Sequence, residues 1–384
     1  MFGLFDRAAS GQPETKAAAT RPRIAFHGAG RSVWSPRDTG SLTRSGFMAN
    51  PVGFRCVKLI AEAGAAVPLV LQSEQERFSV HPLLQLMRRP NPVQNFAELA
   101  ENLIGQLLLT GDVFIEAVGA GPDGMPAELH VLRSDRVRVI PGAQGWPVAY
   151  EYGVGEKKVR IALEDICHIR AFHPQDDHYG MSPLQAAAAA VDVHNAASRW
   201  SKSLLDNAAR PSGALVYRGV DGMGAMTTDQ FERVRGELES NHAGAGNAGR
   251  PMLLEGGLDW KPMGFSPSDM EFQKTKEAAA RDIALAFGVP PMLLGLPGDN
   301  TYANYQEANR AFYRHTVLPL MGKVGAAFAG WLGAAATLEL KPDLDQVPAL
   351  AMERESQWSR IGGADFLSHD EKRALLGLPP RDRS

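Results

Sequence analysis

Imidazole and carboxylate groups crowd one short segment of the chain, HIRAFHPQDDHYG. Its imidazole and carboxylate side chains are those of His168, His173, Asp176, Asp177 and His178. Such side chains are common metal ligands and would suit a metal-dependent hydrolase. Their spacing does not match a structural zinc site, and the proline and charges among them are typical of a solvated loop. A hydrolase is therefore the weaker alternative, which metal analysis of the purified protein would test.

A second segment, GAGNAG at residues 244–249, matches the glycine pattern of dinucleotide-binding loops. That loop must follow a strand and open a helix, so that the helix N-terminus meets the pyrophosphate. Here a helical pattern precedes the glycines and a strand pattern follows them, which favours a simple turn. The sequence contains neither G-x-S-x-G nor G-x-x-x-x-G-K-[ST]. We therefore assign no catalytic residue, no cofactor and no metal ligand.

Composition is that of a folded protein without a general affinity for polyanions. The chain has 384 residues, of which 44% are hydrophobic and 22% charged, and its formal net charge is -3. That length allows two or three domains. The charge argues against a protein that grips nucleic acid over its whole surface, although nucleic acid could still slide past it.

Cysteine usage and hydropathy indicate the compartment. Cys56 and Cys167 lie far apart in apolar contexts, and we expect buried free thiols, as in a reducing cytoplasm. The first residues lack the apolar run of a signal peptide. No run of about 20 apolar residues without charges occurs, so no membrane span is expected.

Helix and strand patterns are segregated in the first half, which indicates an α+β class. Apolar residues recur at helical spacing over 50–67 and over 96–110. Asn95 and Gly111 are suited to cap the start and the end of the second helix. Between residues 112 and 170, apolar and polar residues alternate between Gly/Pro turns. This pattern predicts one antiparallel meander.

The second half is predicted to form a stalk with a small module at its tip. One long helix covers residues 183–207, about 37 Å at about 1.5 Å per residue, and another covers 268–287. Strand and helix patterns lie between them. A third helix begins near Tyr302 and should kink at Pro319, and a short polar tail ends in a last helix. The apolar faces of the stalk exceed what one subunit can cover, which predicts a closed ring.

A stiff segment and a polar loop connect the second and third long helices, in GVPPMLLGLPGDNTYANYQ. Pro290, Pro291 and Pro297 restrict the backbone, whereas Gly298 frees it. Turn-forming and helix-capping residues follow. The loop carries no catalytic group, so we expect a mechanical role for it.

Several segments resemble, in the same order, the portal proteins of tailed bacteriophages. They are NPVGFRCVKLIAEAGAAVPL, HPLLQLMRRPNP, LTGDVFIE, YGMSPLQAA, GVPPMLLGLPGDNTYANYQEANRAFYRHTVLPL and the closing LLGLPP. The group they resemble most is the siphophage type named for phage Hong Kong ninety-seven, which includes the portals of gene transfer agents. The resemblance covers about residues 50–380, and GVPP-x-LLG followed by TY-x-N is its most specific motif.

This resemblance implies a portal fold with an α/β wing, a two-helix stem, a small α/β clip, a kinked long helix and a short helical crown. The parts in chain order are a mobile N-terminal arm at 1–25, the first part of the wing at 26–180, the first stem helix at 181–211, the clip at 212–267, the second stem helix at 268–288, the tunnel loop at 289–303, the kinked wing helix at 304–341 and the crown at 342–384. The tail after Pro342 is shorter than in larger relatives, so a large crown is not expected.

The resemblance also implies a structural, non-enzymatic function. A ring of about twelve identical subunits would sit at one capsid vertex of a virion or phage-like particle, and the subunits would be made in the bacterial cytoplasm. Double-stranded DNA would pass through the ring during packaging and ejection. The implied partners are the major capsid protein, the terminase large subunit and a head–tail adaptor. A monomeric DNA-binding adaptor is a further alternative, which a mass measurement would separate from a ring.

Three sets of residues follow from mapping these parts onto the sequence. The tunnel-loop set is Gly298, Asp299, Asn300, Thr301, Tyr302 and Asn304. The channel-lining stem candidates are Gln273, Lys274, Lys276, Glu277 and Arg281. The clip set for partner docking is Asp229, Glu232, Arg233, Arg235, Glu237 and Glu239. Acids and bases are balanced along 269–287, as expected for a channel that must not hold phosphates tightly.

Overall fold

Helices and strands are mixed throughout the part of the chain that the computed structural model describes. Those residues are 34–74, 76–121, 124–206, 213–217, 229, 232–233, 236, 258–262, 267–297, 301–332 and 338–380. From Ser35 onward they belong to one unit. The arm predicted at residues 1–25 lies outside the described residues.

The N-terminal helices begin and end where the capping residues predict. They are α1 (Thr39–Thr43), α2 (Pro51–Ala65), α3 (Pro82–Arg88) and α4 (Phe96–Thr110), and a π-helical turn at Arg44–Met48 follows α1. Asn95 and Glu98 form a reciprocal capping box at the start of α4. Gly111 ends this helix in the left-handed region, with φ 85°. Both predicted helices in this region are confirmed.

One small antiparallel sheet pairs a strand from the N-terminal part of the chain with a strand from the C-terminal part. Its strands β1 (Leu69–Gln72) and β2 (Arg77–Phe78) lie near the N-terminal helices, whereas β11 (Glu339–Pro342) comes from the C-terminal part. The strand order is β11-β1-β2. Arg77 reaches across to the buried carboxylate of Asp343, at 2.5 Å.

The predicted single meander over 112–170 is wrong, because the strands form two separate sheets. β3 (Asp112–Ala120), β4 (Pro126–Leu132) and β8 (Ile166–Arg170) form one sheet in the order β4-β3-β8, and β5 (Val137–Pro141), β6 (Pro147–Val154) and β7 (Lys157–Ile161) form the other. The return of β8 to β3 buries its apolar side chains. Alternation of apolar and polar residues predicts a strand but does not specify its partner.

The first long helix of the second half is interrupted, contrary to the prediction of one continuous helix. α5 (Pro183–Ala186) is capped by Ser182, and α6 (Ala188–Asp206) follows after Ala187. Ala187 has ψ -4°, so the regular helical turn lapses there. The interruption lies where Leu184 and Ala187 are both buried. Core packing at the base of the helix therefore coincides with the break.

The rest of the second half follows the predicted order. β9 (Gly213–Tyr217) and β10 (Leu258–Pro262) pair antiparallel, and α7 (Pro267–Ala286) follows them. The third helix consists of α8 (Tyr302–Phe312), a π-helical turn at Tyr313–Val317 and α9 (Leu318–Trp331). Pro319 cannot donate to the carbonyl four residues earlier, and the irregular turn lies directly before it. The tail contains α10 (Ala351–Gly362) and α11 (His369–Leu375).

A large apolar core joins the N-terminal helices to α7 and α9. It includes Ile60 of α2, Leu103 of α4, Ile283 of α7 and Phe328 of α9, all fully buried. A smaller core lies between the two β-sheets around Phe114 and Tyr150. No described helix is long and apolar enough to cross a membrane.

Both cysteines are buried free thiols, as predicted. Cys56 belongs to α2 and Cys167 to β8. Burial raises the pKa of each thiol to about 12. The thiolate is the reactive form, so both side chains act as small apolar core groups.

Candidate functional site

The segment that precedes the polar loop at residues 298–300 leaves α7 through a hydrogen-bonded turn. Gly288 is left-handed with φ 66°. The Val289 amide donates to the Ala284 carbonyl at 2.9 Å, as in a helix-terminating motif. Phe287 and Val289 on either side of Gly288 are buried in the core. The turn therefore fixes the direction in which the chain departs.

A side chain of the π-helical turn at Tyr313–Val317 also holds this turn. The Thr316 hydroxyl donates to the Gly288 carbonyl at 2.7 Å. A Cβ at Gly288 would lie 2.8 Å from that hydroxyl oxygen. Position 288 therefore requires glycine for both backbone conformation and space.

Backbone hydrogen bonds hold the remainder of the anchor segment, residues 288–296. Pro291–Leu294 form a 3-10 turn. The Leu293 amide donates to the Pro290 carbonyl at 3.0 Å, and the Leu296 amide donates to the Pro291 carbonyl at 3.2 Å. The prolines and these bonds together restrict the segment before the loop.

Arg281 connects α7 to the end of the anchor segment. Its guanidinium donates to the carbonyl oxygen of Pro297. Arg281 was predicted to line a channel, and the structure places it where it positions the residue directly before the loop. Gly298, Asp299 and Asn300 lie outside the described residues.

The chain is described again at Thr301, whose hydroxyl oxygen accepts a hydrogen bond from the Asn304 amide at 3.2 Å. Thr301 is thus the N-cap of α8, as the sequence predicts. Tyr302 is 78% exposed, and its hydroxyl accepts from the Gln306 side-chain amide at 3.1 Å. Asn304 is exposed.

We expect Arg281→Ala to loosen the end of the anchor without unfolding the subunit. An exposed charge-assisted hydrogen bond contributes about 1 kcal/mol, which corresponds to about a fivefold change in local opening. Hydrogen exchange at the Leu296 amide should accelerate by about that factor. Lys274→Ala, another exposed cation on α7, is the matched control and should leave this exchange unchanged. Equal exchange in both variants would show that Arg281 does not hold the anchor.

The two long helices α6 and α7 pack against each other in opposite directions. The rings of Trp200 and Phe272 stack with centroids 4.3 Å apart and planes 13° from parallel. Further toward the base, His194 of α6 lies close enough to Lys276 of α7 for that charge to affect it. Burial, followed by this positive charge, lowers the pKa of His194. These are the two helices that the sequence predicts as a stalk.

A buried polar network ties α6 to the start of α2. The Asn50 side-chain oxygen caps α2, and its amide nitrogen lies 3.2 Å from Nδ1 of His194 and 2.9 Å from Oδ1 of Asn195. Asn195 in turn donates to the Ser45 carbonyl at 2.8 Å. The sequence does not predict this network, because Asn50 before Pro51 indicates only the cap of α2.

The stem candidates on α7 differ in exposure. Gln273 and Lys274 are exposed, whereas Lys276 and Glu277 are half-buried. The Gln273 amide donates to the Glu277 carboxylate at 3.0 Å. This surface carries both signs of charge.

The predicted His/Asp cluster separates into a buried pair and a turn. His168 Nε2 contacts Oδ1 of Asp112 at 2.8 Å, and its ring stacks on Phe114 with centroids 4.1 Å apart. Asp176 instead accepts from two backbone amides within its own loop, those of His178 and Tyr179. In the described part of the chain, no three His, Cys, Asp or Glu side chains are placed to hold a metal ion. The hydrolase alternative therefore gains no support.

Asp112 was not predicted, yet it joins three parts of the fold. Its Oδ1 accepts from the Gly180 amide at 2.9 Å as well as contacting His168. Asp112 begins β3, His168 lies on β8, and Gly180 precedes the first stalk helix. The carboxylate therefore links the β4-β3-β8 sheet to the segment that leads into α5.

Part of the predicted docking set is described. Asp229, Glu232 and Arg233 are helical and exposed. Arg235, Glu237 and Glu239 lie outside the described residues.

Comparison with known proteins gives consistent matches over most of the chain. The family model described as phage portal protein matches residues 51–377. A protein of Rickettsia bellii (strain RML369-C), described as uncharacterized, is 40% identical over 343 residues, which are 87% of this chain and 88% of that protein.

Solved structures match as well. A chain in the neck of a native gene transfer agent particle, computed with C12 symmetry, is 66% identical with a TM-score of 0.71, and the match covers 92% of this chain and 97% of that one. An HK97 family phage portal protein from Corynebacterium diphtheriae has a TM-score of 0.56 at 16% identity, covering 82% of this chain and 99% of that one. The latter match shows likeness of fold alone.

Proposed function

The chain belongs to the phage portal protein family, and from that premise we propose that its copies form a ring at one vertex of a capsid. Double-stranded DNA passes through this ring when the particle is filled and when it is emptied. The observation that carries the proposal is the 66% identical chain in the neck of a gene transfer agent particle computed with C12 symmetry. The same match supports twelve subunits. The family is structural, and we assign no reaction to the chain.

The parts of the portal subunit are assigned by this proposal as follows. The helices α6 and α7 form the stem, and β9 with β10 forms the base of the clip. The other three β-sheets and the helices α2 to α4, α8 and α9 form the wing. The helices α10 and α11 form a small crown. The antiparallel α6–α7 pair, with Trp200 stacked on Phe272, supports the stem assignment.

The loop at residues 298–300 lines the channel in this proposal. Both of its ends are held: Arg281 contacts the Pro297 carbonyl, and Thr301 caps α8. The loop side chains touch the passing duplex through steric and weak polar contacts. The balanced charge of α7 and the carboxylate of Asp299 keep phosphate binding weak, since each unopposed cation would add affinity through counterion release.

Deletion of Asp299 and Asn300 tests this role. We expect rings to assemble and to enter capsids, because the anchor and the α8 cap remain, whereas the amount of DNA per particle should fall severalfold. Replacement of both Asp299 and Asn300 by alanine keeps the length of the loop. This variant therefore separates the effect of loop length from the effect of the two polar side chains. DNA content is measured in purified, nuclease-treated particles. Normal filling and retention in the deletion variant would reduce the loop to a mere connection.

The ring itself is tested by the native mass of the purified protein and by end-on electron micrographs. A closed ring with a central pore is expected. Monomers at high concentration, together with absence of the chain from particles, would overturn the proposal and favour the monomeric adaptor.

The exposed helical residues Asp229, Glu232 and Arg233 dock the partners in this proposal. A terminase large subunit would bind there during filling and a head–tail adaptor afterwards, while the major capsid protein contacts the wing. Reversal of charge at Asp229, Glu232 and Arg233, which are exposed, should abolish attachment of both while rings stay intact. Retained attachment with dissociated rings would mean that these residues form a contact between subunits.

A further inference from the structure

One face of the β5-β6-β7 sheet is covered by cations. On β5, Val137 and Val139 are buried, whereas Arg138 between them is exposed. On β7, Ile161 is buried, and Lys158 and Arg160 are exposed. Side chains alternate between the two faces of a strand, so each of these cations lies where its strand faces outward.

The strand register brings the cations together. Arg138 pairs with Glu151 on β6, and Glu151 pairs with Arg160 on β7, so the three form one row across the sheet. In the next row, Lys158 pairs with Gly153, which has no side chain. Lys158 Nζ reaches Glu151 Oε1 at 2.9 Å. We call Arg138, Glu151, Lys158 and Arg160 the basic sheet face.

The charge of this face differs in sign from that of the whole chain, whose net charge is -3. Three cations and one carboxylate leave two positive charges uncompensated. Charged residues on edge strands, Lys especially, also prevent edge-to-edge pairing, and β5 and β7 are the edge strands of this sheet. The strand register adds a second feature, because it gathers these cations around one carboxylate, and the resulting excess of positive charge suits an anionic partner.

The spacing suits the phosphates of a duplex. Arg138 and Arg160 are two strands apart, about 10 Å, and Lys158 and Arg160 are two residues apart, about 6.7 Å. These separations lie between the widths of the minor and major grooves of DNA, about 6 and 12 Å. Protein–protein interfaces instead concentrate aromatic and apolar groups at their centre, and the two rows of the basic sheet face contain none.

We propose that the basic sheet face binds the phosphates of double-stranded DNA at a site separate from the channel. The proposal goes beyond the channel function, because a channel must let the duplex slide, whereas this face holds a segment of it. The face would retain a stretch of packaged duplex against the outside of the wing.

Covalently closed circular DNA tests the proposal, since a closed circle cannot thread a closed ring. Its binding to intact rings is measured at salt concentrations from about 50 to about 200 mM. Each lost phosphate contact lowers the slope of log affinity against log salt by about 0.9. The salt slope of the triple variant R138A/K158A/R160A should therefore be smaller than that of the unchanged protein by about 2 to 3. Its affinity for closed circles at the lowest salt should be lower by about tenfold or more.

Two further variants sharpen the test. R37A/R88A/R89A removes three exposed cations elsewhere on the subunit and should bind circles as the unchanged protein does. Glu151→Gln removes the carboxylate that opposes Lys158 and should tighten binding. Thermal melting and native mass establish that every variant still folds and assembles.

Two outcomes would overturn the proposal. The unchanged rings fail to bind closed circles, or the triple variant binds them as well as the unchanged protein does. If a variant with normal DNA binding also fails to enter capsids, the face docks onto a capsid protein instead. Neither binding result bears on whether rings form, which native mass measures separately.

Discussion

Replacement of Gly180 by alanine is expected to prevent stable folding of the subunit. A Cβ at this position would lie 2.0 Å from the Gly111 carbonyl oxygen and 2.7 Å from the Ala171 amide nitrogen. Those two backbone groups are hydrogen-bonded to each other at 2.7 Å, so neither can move away without breaking the contact. Both clashing atoms belong to the backbone, so neither can be relieved by a side-chain rotation. We expect the free energy of unfolding to fall by more than about 4 kcal/mol.

Soluble yield, thermal melting and ring formation measure this effect. Gly105→Ala is the matched control, because Gly105 lies inside α4 and a Cβ there meets no atom within 4 Å. Alanine in an open helical position should stabilise the subunit by about 0.4 to 1 kcal/mol. The two Gly→Ala substitutions should therefore change the free energy of unfolding in opposite directions. A Gly180→Ala protein that melts with the unchanged protein would show that the loop around Gly180 is not held against Gly111.

Removal of the Asp112 carboxylate is expected to have the second largest effect. The Asp112 side chain is buried and its Oδ1 serves both His168 Nε2 and the Gly180 amide. Asp112→Ala leaves both groups without their partner in the interior. Each buried polar group that is left without its hydrogen-bond partner costs about 1 to 3 kcal/mol of folding free energy, and Asp112→Ala leaves two such groups.

Asp112→Asn separates the hydrogen bonds from the charge, since the amide oxygen can still accept from both donors. We expect it to cost about 1 to 2 kcal/mol. Melting temperatures give the order of the variants, and hydrogen exchange at the Gly180 amide reports the local contact. Exchange should accelerate strongly in Asp112→Ala and weakly in Asp112→Asn. Unchanged exchange in Asp112→Ala would contradict the role of this carboxylate as a link between sheet and stalk.

Local features of this protein were determined by the sequence alone. The α4 helix begins at the Asn95 cap and ends at Gly111 because each signal acts on backbone groups within a few residues. The irregular turn before Pro319 follows for the same reason, since a missing amide disturbs only its own turn. The order of the motifs along the chain was also sufficient to identify the portal family, which the family match over residues 51–377 confirms.

Pairings between distant segments were decided only by the tertiary structure. Strand alternation predicted β3 and β8 but not that they are neighbours, and a single meander was expected in place of two sheets. The residues of the His/Asp cluster are close to one another in sequence. The partner of His168 is nevertheless Asp112, which is 56 residues away. His194 likewise meets Asn50 across 144 residues. No periodicity within one segment carries information about such partners.

The positions of charged surface residues were likewise decided only by the tertiary structure. Arg138, Lys158 and Arg160 are visible in the sequence as ordinary exposed cations, separated by a strand and two turns. Only the register of β5, β6 and β7 places them on one face with a single carboxylate among them. Similarly, Arg281 was recognised as a charge on a stalk helix, and the fold determined that it reaches the Pro297 carbonyl. Side-chain type and spacing fix what a residue can do locally, whereas chain packing over long sequence separations fixes which groups it meets.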